Sequence, residues 1–370
     1  MKRSAVLEGY FGMHNVGDDA FCVVAASVLS ERLGFDHLAV VAPHDALPIL
    51  PALARGMLPR SARTRGHVRA ATVAGKLRHR LVLHTGGSTL RQMNQRRCDE
   101  ALLQRTGSIS CHALSVSVGP FRNCADEWSI REFLKRFRSI SLRDAASFER
   151  AKAMSLDVPL SRSFDLAVLA PDHMQTVARR SQRARPRLGV ALRLFESFEG
   201  GSIEMEQRRI LGTIGLLKAV AKLVDYEPVL LAFNCHPSKG DVGLANMIAD
   251  EMQAVTPCTV EPYERDVSSM LSAVASCDAV LAMRLHAGVF AYATGVPFAI
   301  IDYHPKCADF AESVGLTPEL VFAGDGSDLV DQAERIASLL SNGGPPLLSL
   351  DTARYMALEG FDLLGAHLDG

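Results

Sequence analysis

The sequence predicts an α/β protein made of two parallel-sheet domains that face each other across a cleft. Short β-branched runs alternate with amphipathic helical stretches along the whole chain, a pattern typical of parallel sheets covered by helices. The 370 residues, at roughly 150 per domain, allow two domains. A hydrophobic content of 48% is enough for two cores. Because such proteins bind ligands at the carboxyl ends of their strands, site residues are expected directly after strands.

The first half of the chain shows five strand candidates and one very clear helix. The strands are predicted at Ser4–Glu8, Leu38–Ala42, Arg80–His84, Ala113–Val118 and Ser139–Leu142. The first helix is predicted from the spacing of its apolar residues, which are Phe21, Val24, Ala25, Val28 and Leu29. Asp18 stands where the N-cap of this helix is expected.

An arginine-rich segment, Arg179–Arg187, has no apolar periodicity and is predicted to link the two domains. We expect an N-terminal domain at 1–175, on the acceptor side, a C-terminal domain at 186–342, on the donor side, and a helical tail at 346–370. The second domain should hold strands at Leu188–Leu192, Pro228–Phe233, Thr259–Pro262, Ala279–Ala282 and Phe298–Asp302, and a helix burying Ile210, Ile214, Leu217, Ala221 and Val224. The last helix, Thr352–Leu364, is expected to cross back over the domain junction.

The composition predicts a cytoplasmic protein without a metal site. The apolar run at the N-terminus stops at Glu8, which is too short for a signal peptide. The longest uncharged stretch near the C-terminus, Ala287–Ile301, is shorter than the ~20 residues that span a bilayer. The eight cysteines form no CxxC pair, so no structural zinc is expected.

Charge is distributed unevenly, although the formal net charge is only −1. No acidic residue occurs between Asp45 and Asp99, an interval with eleven basic residues, so we expect an anionic partner to face this region. A solvated helical face without special function is the alternative. Nucleic acid is not expected, because aromatic residues for base stacking do not alternate with the basic ones.

Two glycine-containing loops follow strands in the first half. The loop Gly9–Asp19 contains Asn15, Asp18 and Asp19, and acids at a helix start would repel an anion, so we expect it to bind neutral sugar hydroxyls. A tight turn with a capping aspartate would also explain Gly17 and Asp18, but not Asn15 and Asp19. Gly86 and Gly87 are a weaker candidate for close backbone approach to a ligand.

The second half contains the stronger group of candidates, all placed after predicted strands. They are Arg193, His236, Asp241, Arg284, His286 and Lys306. A buried core histidine is the simplest interpretation of His286, but a cation two residues away at the end of a strand argues against it. In the first half, by contrast, Arg143 and Asp144 are interpreted as an internal ion pair.

Taken in order, these motifs resemble the polysaccharide pyruvyl transferase family. The matching segments are Gly9–Asp19, Gly86–Gly87, Gly119–Pro120, Arg143–Ser147, Phe233–His236, and Met283–Ala287 continuing to Lys306. The resemblance implies two Rossmann-like domains of the GT-B type. It also implies transfer of pyruvate from phosphoenolpyruvate to saccharide hydroxyls as a ketal, with release of phosphate, in cell-surface or exopolysaccharide biosynthesis.

The resemblance further implies roles for individual residues. Arg284, Leu285 and His286, together with Arg193, would bind the donor, and no cofactor is expected beyond phosphoenolpyruvate itself. Asn15, Gly86, Gly87 and His236 are expected on the acceptor side. Family acceptors are often glycans on a polyprenyl diphosphate, so a peripheral contact of residues 55–97 with the inner face of the membrane is expected.

The chemistry of phosphoenolpyruvate fits the same residues. Its carboxylate and phosphate match the cations of Arg193, Arg284 and Lys306. His286 can donate a proton to the enol methylene at neutral pH. A base must accept protons from the sugar hydroxyls; it is Asp18, Asp19 or His236, and the sequence does not choose among them.

Two other functions compete with this one. The first is a nucleotide-sugar-dependent GT-B glycosyltransferase, but many of those enzymes carry a glutamate for the ribose where this chain has Phe290. The second is a non-catalytic saccharide-binding relative. The joint presence of Arg284, His286 and Lys306 argues against it.

Overall fold

The computed structural model describes residues 3–59, 64–174 and 184–368, which form two compact units. Unit 1 comprises Met1–Met13, Asp18–Leu169 and Asp351–Gly370, and unit 2 comprises His14–Gly17 and Ala170–Leu350. Each unit is built on one parallel sheet, so the predicted fold class is confirmed. Most of the predicted linker, residues 179–183, lies outside the described residues.

Unit 1 contains a seven-stranded parallel sheet. Its strands are β1 (Arg3–Glu8), β2 (Phe35–Pro43), β3 (Ala54–Leu58), β4 (Leu81–Thr85), β5 (Ser110–Val116), β6 (Ser139–Leu142) and β7 (Leu160–Arg162). The helices between them are α1 (Val16–Leu33), α2 (Arg65–His79), α3 (Gln95–Arg105), α4 (Cys124–Leu134) and α5 (Ala145–Ala153). The strand order β3-β2-β1-β4-β5-β6-β7 is that of a doubly wound Rossmann-like sheet.

Helix α1 forms as its apolar spacing predicts, but it begins earlier than expected. All five residues of its predicted buried face are at most 1% exposed. Its first residue is Val16, so Asp18 lies in the first turn and not at the N-cap. The prediction of a capping Asp18 was therefore wrong, although an acid in the first turn still interacts favourably with the helix dipole.

Unit 2 repeats this architecture with six parallel strands. They are β8 (Arg187–Ala191), β9 (Glu227–Ala232), β10 (Thr259–Pro262), β11 (Ala279–Ala282), β12 (Phe298–Ile301) and β13 (Val321–Phe322), in the order β10-β9-β8-β11-β12-β13. The helices are α6 (Ala170–His173), α7 (Glu196–Glu199), α8 (Ile203–Val220), α9 (Val242–Met252), α10 (Val267–Ala275), α11 (Leu285–Thr294), α12 (Pro305–Val314) and α13 (Leu329–Asn342). Helix α8 ends at Val220, before two residues of its predicted buried face, Ala221 and Val224.

The last helix, α14 (Leu350–Leu368), returns the chain to unit 1. It buries Ala357, Phe361 and Leu364 completely. Gly360 lies so close to β6 that a Cβ there would be 2.5 Å from the hydroxyl oxygen of Ser141. Within the described ranges, none of the helices combines the length and apolarity needed to cross a membrane.

Candidate active site

The candidate residues of unit 2 gather at the carboxyl edge of its sheet. Strands β9, β8, β11 and β12 are parallel neighbours, so the segments that follow them emerge at one edge. Asp241, Arg193 and Arg284 follow the first three of these strands, and Lys306 follows β12. The topology therefore brings together residues that are widely separated in the sequence.

Arg284 forms a two-pronged ion pair with Asp241. Its Nε donates to Oδ2 of Asp241 at 2.8 Å, and Nη2 pairs with Oδ1. Asp241 is only 3% exposed, and the backbone N–H of Asn234 also donates to its Oδ2, at 2.9 Å. Burial raises the pKa of the Asp241 carboxyl, and the facing Arg284 guanidinium opposes that shift. Arg284 is thus held rigidly, with its Nη1 donors not used by this pair.

Arg193 and Lys306 lie around one aromatic side chain, Tyr303. The Arg193 guanidinium is 5.4 Å from the centre of the Tyr303 ring and donates from Nη1 to the tyrosine hydroxyl at 3.2 Å. The ring of Phe195 faces the same guanidinium at 5.1 Å, and the Lys306 ammonium is 5.6 Å from the Tyr303 ring. Among the described residues, no carboxylate forms an ion pair with Arg193 or Lys306. These two cations can therefore hold an anionic ligand.

His286 is the second residue of α11 and packs against Gly17. A Cβ built on Gly17 would clash with the imidazole, closest to Nδ1. Gly17 belongs to the segment His14–Gly17, which we call the N-terminal strap and which is part of unit 2. The strap lies along the end of β9, because Val16 N donates to the carbonyl of Phe233 at 3.0 Å and Asn15 bridges Asn234. Asn15, expected on the acceptor side, thus lies in the same unit as the donor-side candidates.

Helices α11 and α12 both begin at this edge. Helix α11 starts directly after Arg284, with no side chain hydrogen-bonded as a cap, and Leu285 is its first residue. Helix α12 is capped by His304, whose Nδ1 accepts from the backbone N–H of Lys306 at 3.3 Å. Because helix N-termini attract anions, both add to the positive potential around Arg193 and Lys306.

His236 lies in the ordered loop between β9 and Asp241. Its backbone N–H donates to Oδ1 of Asn234 at 2.9 Å, and its Nδ1 accepts from the backbone N–H of Ser238 at 3.3 Å. Its Nε2 is not part of these hydrogen bonds. The loop is close-packed, since a Cβ at Gly240 would lie 2.6 Å from the carbonyl oxygen of His236.

The acceptor-side candidates of unit 1 lie at the carboxyl ends of β1 and β4. Asp19 is fully buried, and its Oδ1 accepts from the backbone N–H of Gly12 at 2.9 Å. Asp18 is half-buried beside Gly87, where an added Cβ would lie 3.3 Å from its Oδ1. Gly86 and Gly87 both have positive φ, +57° and +73°, which explains why glycine stands at both positions.

Arg143 forms an internal ion pair, as the sequence suggested, but its main partner is Asp165 and not Asp144. Its Nη1 is 2.9 Å from Oδ2 of Asp165, while the distance to Asp144 is 3.9 Å. Nε and Nη2 donate to the hydroxyls of Ser117 and Ser88. Arg143, which is 9% exposed, thus connects the segments that follow β4, β5, β6 and β7 of unit 1.

Within the described residues, one group could hold a metal ion: His84, Glu100 and Cys111, all buried in unit 1. Oε1 of Glu100 faces His84, and its Oε2 already lies 2.5 Å from the ammonium of Lys76. Burial raises the pKa of the Cys111 thiol well above its usual value, which disfavours the thiolate that a metal needs. These residues fit a buried ion-pair network better than a metal site.

Two contributors to the site, Tyr303 and Gly17, were not among the candidates, and Asp241 was a candidate without an assigned role. Tyr303 could have been suspected from its position between a strand and Lys306. Gly17 was interpreted as part of a turn. No sequence signal indicated that Gly17 contacts His286, because that contact depends on the tertiary fold.

Several solved structures with similar folds carry the name UDP-GlcNAc 2-epimerase. A Listeria monocytogenes protein assigned as a UDP-N-acetylglucosamine 2-epimerase gives a TM-score of 0.66 at 12% identity, covering 100% of this chain and 97% of that one. The UDP-GlcNAc 2-epimerase of Neisseria meningitidis, bound to UDP-GlcNAc, gives 0.63 at 10% identity, with 100% of both chains covered. The enzyme from Rickettsia bellii gives 0.63 at 10% identity, covering 100% and 96%. At this identity the similarity shows the GT-B fold alone.

A search of curated protein sequences found no significant match. A sequence profile of the family described as polysaccharide pyruvyl transferase matches residues 15–305, which include the N-terminal strap from Asn15 and the edge residues up to Pro305. The match covers most of the 370 residues. The chain therefore belongs to the polysaccharide pyruvyl transferase family.

Proposed function

We propose that the protein transfers the pyruvyl group of phosphoenolpyruvate to two hydroxyls of a saccharide, forming a ketal and releasing phosphate. The observation that carries this proposal is the pair of cations Arg193 and Lys306, which have no carboxylate partner among the described residues and stand at the same sheet edge as His286. A site with cations that form no ion pair, at the same sheet edge as a histidine, suits an anionic substrate that must accept a proton.

The charges of phosphoenolpyruvate match the cations at this edge. Its carboxylate and phosphate need several cations, and Arg193, Lys306 and the free Nη1 of Arg284 can supply donors to both. Because Asp241 offsets the charge of Arg284, we assign most of the charge neutralisation to Arg193 and Lys306. Arg284 then contributes directed hydrogen bonds from a fixed position, and Leu285 packs beside it as the first residue of α11.

The reaction balances with His286 as general acid. His286 gives a proton to the methylene carbon as one sugar hydroxyl adds to C2 of the enol, and this hydroxyl loses its proton to a base. The C–O bond to phosphate then breaks, and the second hydroxyl adds to C2 and loses its proton. One proton thus ends on the new methyl group and the other on the phosphate or buffer. A positioned acid contributes roughly 10²–10⁴ in rate.

For the base, we favour Asp18 over Asp19. Asp19 is fully buried and its Oδ1 is engaged by the backbone of Gly12, so it is suited to holding the loop. Asp18 is half-buried next to Gly87. His236 remains a second candidate, since its Nε2 is not used by the hydrogen bonds that hold its loop.

A nucleotide-sugar glycosyltransferase is the competing proposal, supported by the fold it shares with proteins that bind UDP-sugars. Against it, Phe290 is fully buried and its ring centre lies 5.7 Å from that of Phe233. That position therefore offers an apolar core contact where many such enzymes have a carboxylate for the ribose. A non-catalytic saccharide-binding protein is the third candidate, and it predicts binding without phosphate release.

The test is an activity screen with candidate saccharides, free or linked to a polyprenyl diphosphate. Phosphoenolpyruvate should give phosphate together with a pyruvylated product detected by mass, whereas UDP-sugars should give no transfer. His286→Ala should lower turnover roughly 10²–10⁴-fold, and alanine at the exposed His67 should leave it unchanged. Transfer from a UDP-sugar, or near-normal turnover of His286→Ala, would overturn the proposal.

A further inference from the structure

We infer that Gly17 is a positioning residue for His286, so that a residue from the N-terminal loop sets the geometry of the general acid in unit 2. The inference rests on the proposed role of His286 and deepens it. It starts from one observation: Gly17 is buried against the imidazole, and nothing larger than hydrogen fits between them.

The N-terminal strap that carries Gly17 is held firmly from both sides. Val16 N donates to the carbonyl of Phe233 at 3.0 Å, and Cys235 N donates to the carbonyl of His14 at 2.9 Å. Asn15 pairs with Asn234 in antiparallel fashion. One isolated bridge and two backbone hydrogen bonds thus tie the strap to the segment after β9, so it cannot move away from His286 without breaking them.

The hydrogen bonds that hold the strap continue through Asn234 to Arg284. Asn234, which pairs with the strap, accepts from Asp241 N at 2.6 Å and donates its own N–H to Oδ2 of Asp241 at 2.9 Å. Asp241 in turn forms the two-pronged pair with Arg284. The strap and Arg284 are therefore fixed by one connected set of hydrogen bonds around Asn234, and His286 packs against the strap at Gly17.

Space, and not backbone conformation, explains the glycine at position 17. Its φ does not lie in the left-handed region, unlike that of Gly86 or Gly87. A Cβ at this position would lie 1.8 Å from Nδ1 of His286, 2.2 Å from Cγ and 2.4 Å from Cε1. Since alanine favours a helix more than glycine does, Gly17→Ala would stabilise α1 if the imidazole were absent.

Adding a methyl group at Gly17 must therefore displace the imidazole or the strap. A displacement of about 1 Å in a reacting group can cost on the order of 10²-fold in rate. Donor binding should change much less, because the added methyl group meets His286 and not Arg284. Arg193 and Lys306, to which we assign most of the charge neutralisation, lie against Tyr303 and Phe195 and not against the strap. The expected signature is a loss in kcat with little change in the KM for phosphoenolpyruvate.

The chain offers a closely matched control in Gly243. Gly17 and Gly243 are both the second residue of a helix, both follow a valine, and both belong to unit 2. A Cβ at Gly243 meets nothing within 4 Å. We expect Gly17→Ala to lower kcat at least about tenfold with a KM change below about threefold, and Gly243→Ala to leave both unchanged.

A double-mutant cycle with His286→Ala tests whether Gly17 acts through His286. Removing the imidazole opens the space that the new methyl group needs. Gly17→Ala should therefore lower Tm in the wild type but leave it equal or higher in the His286→Ala background, and there it should cause no further loss of kcat. In NMR spectra of histidine-labelled protein, the His286 resonance, identified by its absence in His286→Ala, should shift in Gly17→Ala and not in Gly243→Ala.

The possible failures can be told apart. Equal effects of Gly17→Ala on Tm in both backgrounds, or an unmoved His286 resonance, would overturn the positioning role even if pyruvyl transfer is found. If no transfer is found but the Tm cycle and the resonance behave as expected, the packing of Gly17 on His286 stands and the proposed function fails. A kcat unaffected by Gly17→Ala in an active enzyme would also refute the inference.

Discussion

Arg284 illustrates how a charged residue can stand at a ligand-binding edge without contributing a net charge. Asp241, which is 3% exposed, accepts hydrogen bonds from Nε and Nη2 of Arg284. The negative charge of Asp241 therefore offsets the positive charge of Arg284, and the pair fixes the position of Nη1. Breaking a buried pair is costly, because it leaves a charge without compensation. Arg284 therefore has two tasks. It pairs with Asp241, which is hydrogen-bonded to Asn234, and in our proposal it donates hydrogen bonds to the ligand.

We predict that Arg284→Lys is not a conservative change. A lysine cannot form the two-pronged pair with Asp241 and has no further donor at the place of Nη1. Thermal unfolding should show a lower Tm, and phosphoenolpyruvate should protect the variant poorly while it protects the wild type. Arg208→Lys, at an exposed i,i+4 pair with Glu204, is the control and should behave as wild type. Equal protection of Arg284→Lys and wild type would remove Arg284 from the donor site.

At the residue scale, the sequence predicted which residues reach the edge but not how they interact. Arg193, Arg284 and Lys306 were found because each follows an apolar strand, and parallel strands end at one edge. The pairing of Arg284 with Asp241 was not predictable, because it joins loops after two strands that are not neighbours in the sheet. The contact of Gly17 with His286 is equally non-local, and a glycine next to an aspartate suggested only a turn.

At the scale of secondary structure, the missed strands share one property. The strands β3, β7 and β13 were not predicted, and each is an edge strand of its sheet. They have five, three and two residues, and none of them shows the long apolar run of a central strand. Edge strands are buried on fewer sides, so their sequences carry a weaker hydrophobic signal.

Helices α2 and α3 are joined to the sheet of unit 1 by a buried charged network. The Lys76 ammonium lies 2.9 Å from Glu8 and 2.5 Å from Glu100, and His84 Nε2 lies 2.6 Å from the other oxygen of Glu100. Burial disfavours the charge on Glu100, but His84 and Lys76 outweigh this effect and lower its pKa well below the usual value. Burial likewise opposes the charge of Lys76, and the carboxylates of Glu8 and Glu100 raise its pKa.

We predict that Glu100→Gln destabilises the protein strongly. It removes one partner of a buried pair, which typically costs about 3–5 kcal/mol in the free energy of unfolding. Urea unfolding followed by circular dichroism measures this loss, and Glu132→Gln, at an exposed pair with Lys135, should change little. Since the folded pKa of Glu100 is depressed, its contribution is fully present above the unfolded value of about 4.5 and is lost as the pH falls below it. A variant as stable as wild type at neutral pH would contradict this account.

Helix α14 should be needed for the stability of unit 1. We predict that Phe361→Ala lowers the free energy of unfolding by about 3–5 kcal/mol, because its ring is completely buried. Tyr355→Ala, on the same helix but 67% exposed, is the control and should cost far less. Urea unfolding of both variants decides the matter, and equal losses would mean that the helix is held by something other than its buried face.

At the scale of the whole molecule, the basic residues between Asp45 and Asp99, which we call the basic interval, have more acidic partners than the sequence suggests. Lys76 is buried in the network just described, Arg69 pairs with Asp99 at 2.7 Å and Arg96 with Glu8 at 3.2 Å. Arg97 donates to the backbone carbonyls of Thr89 and Gln92. Acids from before and after the interval thus compensate part of its charge, which a linear count of residues could not reveal.

The remaining exposed cations still support a contact with an anionic surface. Arg55, Arg65 and Arg78 are exposed and form no ion pair among the described residues, while Arg60 and Arg63 lie outside the described part of the chain. Basic residues near an anionic membrane contribute about 1 kcal/mol each, so changing Arg55, Arg65 and Arg78 together to glutamine should weaken binding to anionic liposomes at least about tenfold. Added salt should weaken the binding of the wild type as well.

Co-sedimentation with anionic and neutral liposomes measures this effect against a control of equal charge. The control changes Arg122, Arg136 and Arg138 to glutamine, three exposed arginines of the same unit outside residues 55–97 that have no ion pair in the described structure. If position matters, only the first triple variant should lose binding, because screening limits the attraction to about 8 Å at physiological salt. Equal losses would mean that net charge alone drives the association. Equal binding of the wild type to anionic and neutral liposomes would mean that the basic interval is a solvated surface. The acceptor would then reach the protein from solution.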